Sequence, residues 1–319
     1  MSKIFKLAHL SDLHLGPAPI FWPWHWNIKR FLGYINWLYK RRYIHNSDLT
    51  KVILDDVHNQ NIDHVAVSGD FSNFGLPIEH SRALTWLQLA GQPEKVSAVP
   101  GNHDVYSRLL RDQGILRWKR YMSSFSYRQE DGKSSNYVFD HFPYVRRWGN
   151  IALIGLNSAI PTNVGSAVGK IGKKQLSLLK TILENLQQNQ TYRIVMLHHP
   201  PLPEQAIPLR NLLDATQLTE LFMTVGVELV IHGHSHKQTL EYRYWNNQPF
   251  PVVSVPSCSA STSSTSPASY NIYVFTPNRQ YYYIDLIQRQ ILPDTMLLGE
   301  IRRQRLIPPV KNMAPNHCI

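Results

Sequence analysis

The chain has 319 residues, 43% hydrophobic and 17% charged, a globular composition that excludes a disordered or low-complexity protein. Its 33 lysines and arginines against 22 acidic residues leave a net charge of +11 and a pI of about 9.6, which favours anionic partners (phosphate esters, nucleic acid or an acidic membrane surface) without choosing among them. No run approaches the ~20 uninterrupted apolar residues of a spanning helix, and two cysteines, Cys258 and Cys318, are too few for a disulfide framework, so a reducing, cytoplasmic compartment is expected.

The first predicted strand, Ile4–Leu10, ends in Ser11-Asp12-Leu13-His14, where a period of two puts Asp12 and His14 on one side. Because Asp12 and His14 interrupt it, it is read as a strand and not as a signal sequence. Residues 16–46 form an aromatic and basic insertion. Phe21-Trp22-Pro23-Trp24-His25-Trp26 leads into a helical pattern with Ile28, Phe31, Leu32, Ile35, Leu38 and Tyr39 on one face and Lys40, Arg41 and Arg42 at its C-terminal end. Two burials suit such a stripe. One is a lid packed on the protein's own core, the reading preferred here; the other is a membrane interface, with Lys29, Arg30, Lys40, Arg41 and Arg42 meeting anionic lipid on the inner face of the membrane.

Ser47 and Asp48 are N-cap candidates for a helix through His58. The strand Ile62–Val67 delivers Gly69-Asp70, a second helix runs between Pro77 and Gly91, and the strand Val96–Val99 is broken by Pro100-Gly101 so that Asn102-His103-Asp104 stand on a turn. These β-α-β steps imply a mainly parallel sheet. A basic helical stretch to about Met122 follows, then strands at Tyr137–Phe142 and Ile151–Leu156 separated by Pro143 and Gly149-Asn150. A helix over Lys173–Leu186 precedes the buried strand Tyr192–Leu197, which ends at His198-His199-Pro200. Asp214 is placed as the cap of a helix ended by Gly226, and Leu229–Ile231 leads to His232-Gly233-His234-Ser235-His236. Hairpin strands follow, with a flexible Ser/Thr loop at Ser257–Ser269 between them. Residues 1–295 are read as one domain, and 296–319 as a loosely ordered basic tail.

Five strand ends thus carry metal-ligand residue types, which argues for one polynuclear site at the rim of a sheet. The ordered set D-x-H, G-D, G-N-H-D, H-H-P and G-H-x-H, spanning residues 7 to 236, resembles that of the calcineurin-like metallophosphoesterases. The resemblance implies a four-layer α/β/β/α sandwich. It also implies two metal ions bridged by Asp70, with Asp12, His14 and His236 on one and Asn102, His198 and His234 on the other. Mixed imidazole, carboxylate and amide ligands without thiolate suit Mn²⁺, Fe or Zn²⁺. Two ions about 3.5–4 Å apart supply both a hydroxide at neutral pH and positive charge on the phosphoryl oxygens.

By the same resemblance, His103 contacts the leaving oxygen, where an imidazolium can protonate it. Asp104 either orients His103 or caps the next helix. His199 and His232 adjoin ligands and are given packing roles, and the choice between His198 and His199 as ligand stays open. The expected activity is a phosphodiesterase acting on a small, cyclic nucleotide-like or lipid-linked phosphodiester or pyrophosphate. The H-H-P and G-H-S-H spelling resembles bacterial members that hydrolyse cyclic nucleotides. A nuclease is the alternative enzyme, and a non-catalytic metal-binding interaction module is the alternative of another class.

Overall fold

The computed structural model describes residues 3–107, 114–124, 142–205, 207–278, 281–293 and 295–306. The first half alternates β1 (Phe5–Leu10), α1 (Ile28–Asn36), α2 (Arg42–Ile44), α3 (Asp48–Asn59), β2 (His64–Val67), α4 (Pro77–Ala90) and β3 (Val96–Ala98). The second half runs β4 (Tyr144–Trp148), β5 (Ile151–Gly155), α5 (Lys173–Gln188), β6 (Tyr192–Met196), α6 (Ala215–Val225), β7 (Leu229–His232), β8 (Thr239–Trp245), β9 (Gln248–Ser254), β10 (Ser269–Asn278), β11 (Tyr281–Ile291) and β12 (Leu298–Leu306).

These strands build two six-stranded mixed sheets, ordered β12-β11-β10-β1-β2-β3 and β4-β5-β6-β7-β9-β8. Period-two alternation sorts the apolar residues of β5 between two cores. Ile151 and Leu153 join Leu7 of β1 and Val65 of β2 between the sheets. Ala152 and Ile154 face outward onto Leu179 and Leu183 of α5 and Phe222 of α6. Ile53 of α3 and Leu87 of α4 belong to the first core. The result is the expected four-layer α/β/β/α sandwich, and it brings the carboxyl ends of β1, β2, β3, β6 and β7 together.

Several expectations need correction. The stretch before Ile151 holds a strand: Gly149-Asn150 is a two-residue hairpin turn, so Trp148 pairs with Ile151 and β4 runs antiparallel to β5. After β7, β9 continues the parallel run, with Val230 opposite Val252. The presumed tail is ordered as β12 through Leu306, because its charges suit an exposed sheet edge: Arg305 pairs with Asp285 at 2.9 Å and Arg303 with Glu300 at 2.7 Å. Asp214 accepts from the Ile171 and Gly172 amides ahead of α5 and does not cap its own helix. Asn46, not Ser47, accepts from the Asp48 amide at the start of α3. Over 114–122 the basic stretch is a 3₁₀ helix. The arginines at 108 and 111 and residues 137–141 lie outside the described residues.

The insertion is turned inside out relative to the preferred reading. Ile28, Phe31, Leu32 and Ile35 face solvent, whereas Arg30 is buried. Arg30 donates to the His25, Phe74 and Gly75 carbonyls, and Lys29 donates to Tyr106 O and Thr162 Oγ1. The cations therefore hold the segment to the body, and Gly33 lets the helix approach: a Cβ there would meet the Tyr106 hydroxyl at 2.3 Å.

His64, buried in β2 with Nε2 2.7 Å from Ser97 Oγ, gives a stability test. Burial, then the Arg146 charge, pushes its pKa well below the ordinary value. The unfolded chain takes up a proton below about pH 6.5 and the folded chain does not. This contribution is therefore fully present above that pH and declines by about 1.4 kcal/mol per pH unit below it. His64→Phe is expected to flatten the pH dependence of unfolding free energy by about that slope under about pH 6.5, measured by denaturant titration; an unchanged slope would show that His64 is protonated in the fold.

Candidate metal centre

The strand ends converge through unusual backbone. Ten described non-glycine residues have positive φ, and five of them are Asp12, His14, Asp70, His234 and His236. Left-handed conformations at such residues cost on the order of 1–3 kcal/mol each and persist where surrounding structure imposes them. Here the imposing bonds are visible. Asp12 N donates to Gly69 O, His14 N to Asp70 O, and His234 N to Asp12 Oδ2 at 3.0 Å.

Two half-sites share Asp70. In one, His198 Nδ1–H donates to Ser68 O at 2.7 Å, which leaves the Nε2 lone pair facing inward. That nitrogen lies 3.4 Å from Asp70 Oδ2, 3.2 Å from Asn102 Oδ1 and 3.2 Å from His234 Nδ1. His234 Nε2 is buried without a partner. In the other, His14 Nδ1–H points to Ser72 O at 3.2 Å, and Nε2 faces His236 Nε2 at 3.5 Å, Asp12 Oδ1 at 4.0 Å and Asp70 Oδ2 at 4.0 Å. His236 Nε2 stands 3.0 Å from Asp12 Oδ1. Asp12-His14-Asp70 and Asp70-His198-His234 are each compact enough to hold one ion.

Converging acceptors with so few protons among them require a cation. Burial alone would raise both carboxyls, but His236 beside Asp12 and His198 beside Asp70 outweigh it, so both are held below the usual carboxylate range. Conversely, burial pulls His198 down and Asp70 pushes it up, to about 9. A second proton or a metal ion must satisfy that pocket, and its N and O donors without thiolate fit a divalent metal. His199 takes no part, since its Nδ1 meets Ser158 Oγ at 2.8 Å and its Nε2 Ala167 O at 3.2 Å. His232 turns Nδ1 to Gly233 O.

His103 donates its backbone N–H to Asp70 Oδ1 at 2.7 Å, and its Nδ1–H to Asn73 O at 2.7 Å, which leaves Nε2 to accept from Arg41. Burial and then the Arg41 charge push its pKa down to about 3. Among the described residues the Asp104 side chain bonds neither the His103 ring nor the start of a helix. Its Oδ2 accepts from the Asp70 and Gly101 amides, and its Oδ1 from the Ser72 amide and hydroxyl, all at 2.8–2.9 Å. It is a positioning residue that ties the Asp70 turn to the Gly101 turn. Burial and the adjacent Asp70 charge raise its pKa, and the Gly101 amide and the Ser72 amide and hydroxyl oppose the rise.

Two site residues escape the motif reading. A π-helical turn over Trp37–Arg41 swings Arg41 inward, where Nη1 lies 2.9 Å from His103 Nε2 and Nη2 3.1 Å from His14 Nε2. His45 sits with its ring 4.4 Å from that of His14 and its Nδ1 2.9 Å from Ser259 Oγ. The Ser/Thr loop is likewise not flexible at its start. Ser257, Cys258 and Ser259 are fully buried, and both serine hydroxyls donate to Asp12 O, at 2.6 and 3.2 Å.

Layered sheets with a histidine- and aspartate-rich cluster at their joined carboxyl edges are the arrangement expected of the calcineurin-like phosphoesterase class. The chain matches the calcineurin-like phosphoesterases over residues 5–238 and belongs to that family, which depends on two metal ions. A probable cyclic nucleotide phosphodiesterase from Synechococcus sp. is 24% identical over 197 residues, 60% of this chain and 64% of that relative. A dimetal phosphatase from Danio rerio superposes with a TM-score of 0.61 at 12% identity, covering 96% of this chain and 99% of that one. A 5'-nucleotidase precursor from Thermus thermophilus gives 0.51 at 13%, covering 96% and 55%. These two structures establish a shared fold.

Asp104→Ala would leave three buried amides and a hydroxyl without their acceptor. It is expected to cost on the order of 3 kcal/mol in denaturant unfolding and to weaken metal retention. A variant of wild-type stability that keeps its metal would remove the bracing role.

Proposed function

We propose that the protein is a two-metal phosphodiesterase in which Asp12, His14 and His236 hold one ion, Asn102, His198 and His234 hold the other, and Asp70 bridges them. The supporting observation is the His198 ring. With Nδ1 held on Ser68 O, it turns Nε2 into a pocket shared with Asn102, His234 and Asp70. When bound, the ions supply Lewis acidity at the phosphoryl oxygens and water acidic enough to attack at neutral pH. Mn²⁺, Fe or Zn²⁺ suits the donors.

The side chains around the cluster set what happens to the ester. Arg41 offers guanidinium N–H groups to a phosphoryl oxygen, a charge-assisted contact. His103 Nε2 accepts from Arg41. Burial chiefly, and Arg41 next, disfavour the imidazolium; an anionic ester that engages Arg41 offsets the second of these and frees Nε2. A proton gained there passes to the departing oxygen. Asn73 O holds the other ring nitrogen and so fixes the direction of donation. The substrate is read as a small, cyclic nucleotide-like or lipid-linked phosphodiester. The Synechococcus relative, itself named a probable cyclic nucleotide phosphodiesterase, supports the diester reading.

Metal analysis and turnover of bis(p-nitrophenyl) phosphate in two variants separate these roles. Asp70→Asn is expected to abolish turnover and lose both ions. His103→Ala is expected to keep near-normal metal content while slowing turnover about 10²–10⁴-fold. Equal metal loss in both would make His103 structural.

Removing Arg41 addresses the anion contact. Arg41→Gln is expected to raise KM for the diester at least about tenfold with metal content unchanged. An unchanged KM would remove Arg41 from substrate binding.

A further inference from the structure

Residues 16–46 carry an apolar face with none of the other described residues upon it. Of the exposed large apolar side chains among the described residues, eleven lie between Ile20 and Ile44. Trp24 and Ile28 are 74% exposed and Phe31 53%. In α1 the positions Ile28, Phe31, Leu32 and Ile35 fall on one helical face, which points to solvent, while Lys29 and Arg30 are anchored inward. An ordinary surface helix has the opposite polarity. The sequence places no aspartate or glutamate between Asp12 and Asp48. The exposed cations Lys40 and Arg42 adjoin the exposed Tyr39 and Tyr43, and the Arg42 guanidinium lies 4.6 Å from the Tyr43 ring centre. Trp22 and Trp24 stand out as a stacked pair, with ring centres 5.4 Å apart.

We infer that this segment seats the protein on an anionic lipid bilayer. Aliphatic residues on one face, tryptophan and tyrosine around them, and cations without acidic residues are the composition that suits the boundary of headgroups and acyl chains. A globular partner would have to match a protruding aromatic surface with an acidic rim. A bilayer offers both apolar depth and negative charge over any shape.

The same segment reaches the metal centre. One π-helical turn presents Tyr39 and Lys40 outward and Arg41 inward to His14 and His103. A cleft of about 440 Å³, lined by His14, Trp37, Tyr43, His45, Asn73 and Ser261, opens beside it. Resting on the phosphodiesterase reading above, the substrate is accordingly the phosphoester of an amphiphile lying in that bilayer, its headgroup in the cleft and its chain in lipid.

Vesicle flotation tests the docking without requiring activity. The wild-type chain is expected to float with phosphatidylcholine vesicles containing phosphatidylglycerol, far less with phosphatidylcholine alone, and to be released by salt. Trp24→Ser/Phe31→Ser/Ile35→Ser, at exposed positions, is expected to lose flotation while keeping the wild-type melting temperature and turnover of bis(p-nitrophenyl) phosphate. Lys40→Glu/Arg42→Glu is expected to lower partitioning at least about 30-fold. Folded wild-type protein that stays unbound, or a dimer in sedimentation that the triple variant dissolves, would overturn the docking.

Comparing methyl and hexadecyl p-nitrophenyl phosphate in such vesicles tests the substrate. Preference for the hexadecyl diester, lost in the triple variant, is expected, and no preference in wild type would overturn the amphiphile assignment. Flotation without turnover of any of these esters would instead count against the phosphodiesterase reading.

Discussion

Everything at the joined sheet edges is arranged around one buried carboxylate, Asp70, set between the His14 and His198 imidazoles. Oδ2 faces His198 and His14, and Oδ1 is engaged by the His103 amide. A buried charge is tolerated only when paired, and a proton on His198 or a cation at the centre of the cluster meets that need here. The surrounding backbone is shaped to that demand. Left-handed turns aim Asp12, His14, Asp70, His234 and His236 inward, and Asp104 locks two of the turns together. The fit is close: a Cβ on Gly101 would come within 2.2 Å of Asp70 Oδ1, and one on Gly233 within 2.7 Å of Asp12 Oδ2.

The layered core supplies the rigidity these turns need. β1, β2 and β3 end on one sheet and β6 and β7 on the other, so the cluster spans the seam between two packed sheets and not one rim alone. Stability and chemistry are therefore coupled through sheet packing. Ser257 and Ser259, far away in sequence, grip the Asp12 carbonyl from behind. Opposing charge bookkeeping applies outside the cluster, where the cations of the 16–46 segment, Lys29 and Arg30, satisfy backbone carbonyls of the body.

Much of this was legible in the sequence. Apolar runs ended by Asp, Asn or His marked the strand ends, since a strand that stops at a glycine turn leaves its next polar side chains at the sheet edge. The four layers came from the family resemblance, with parallel units early and hairpins late in keeping with two packed sheets. What escaped depended on contacts remote in sequence. Arg41 looked like a helix-end cation beside Lys40 and Arg42, because a π turn cannot be seen in residue periodicity. His45 stood in no motif. The donors to Asp104 are three backbone amides, which every sequence has, and the Ser72 hydroxyl. The apolar stripe of α1 was visible, but a stripe states only that it needs an apolar neighbour, and its direction was set by carbonyls waiting for Lys29 and Arg30. β12 was hidden because an edge strand and a basic tail share a composition.

The account stands or falls on a cation pair around Asp70. Anomalous diffraction from crystals grown with Mn²⁺ measures it directly. Two peaks about 3.5–4 Å apart are predicted, both touching the Asp70 carboxylate, one next to His14 and His236 and the other next to His198, His234 and Asn102. A single peak, or two that do not share Asp70, would contradict it.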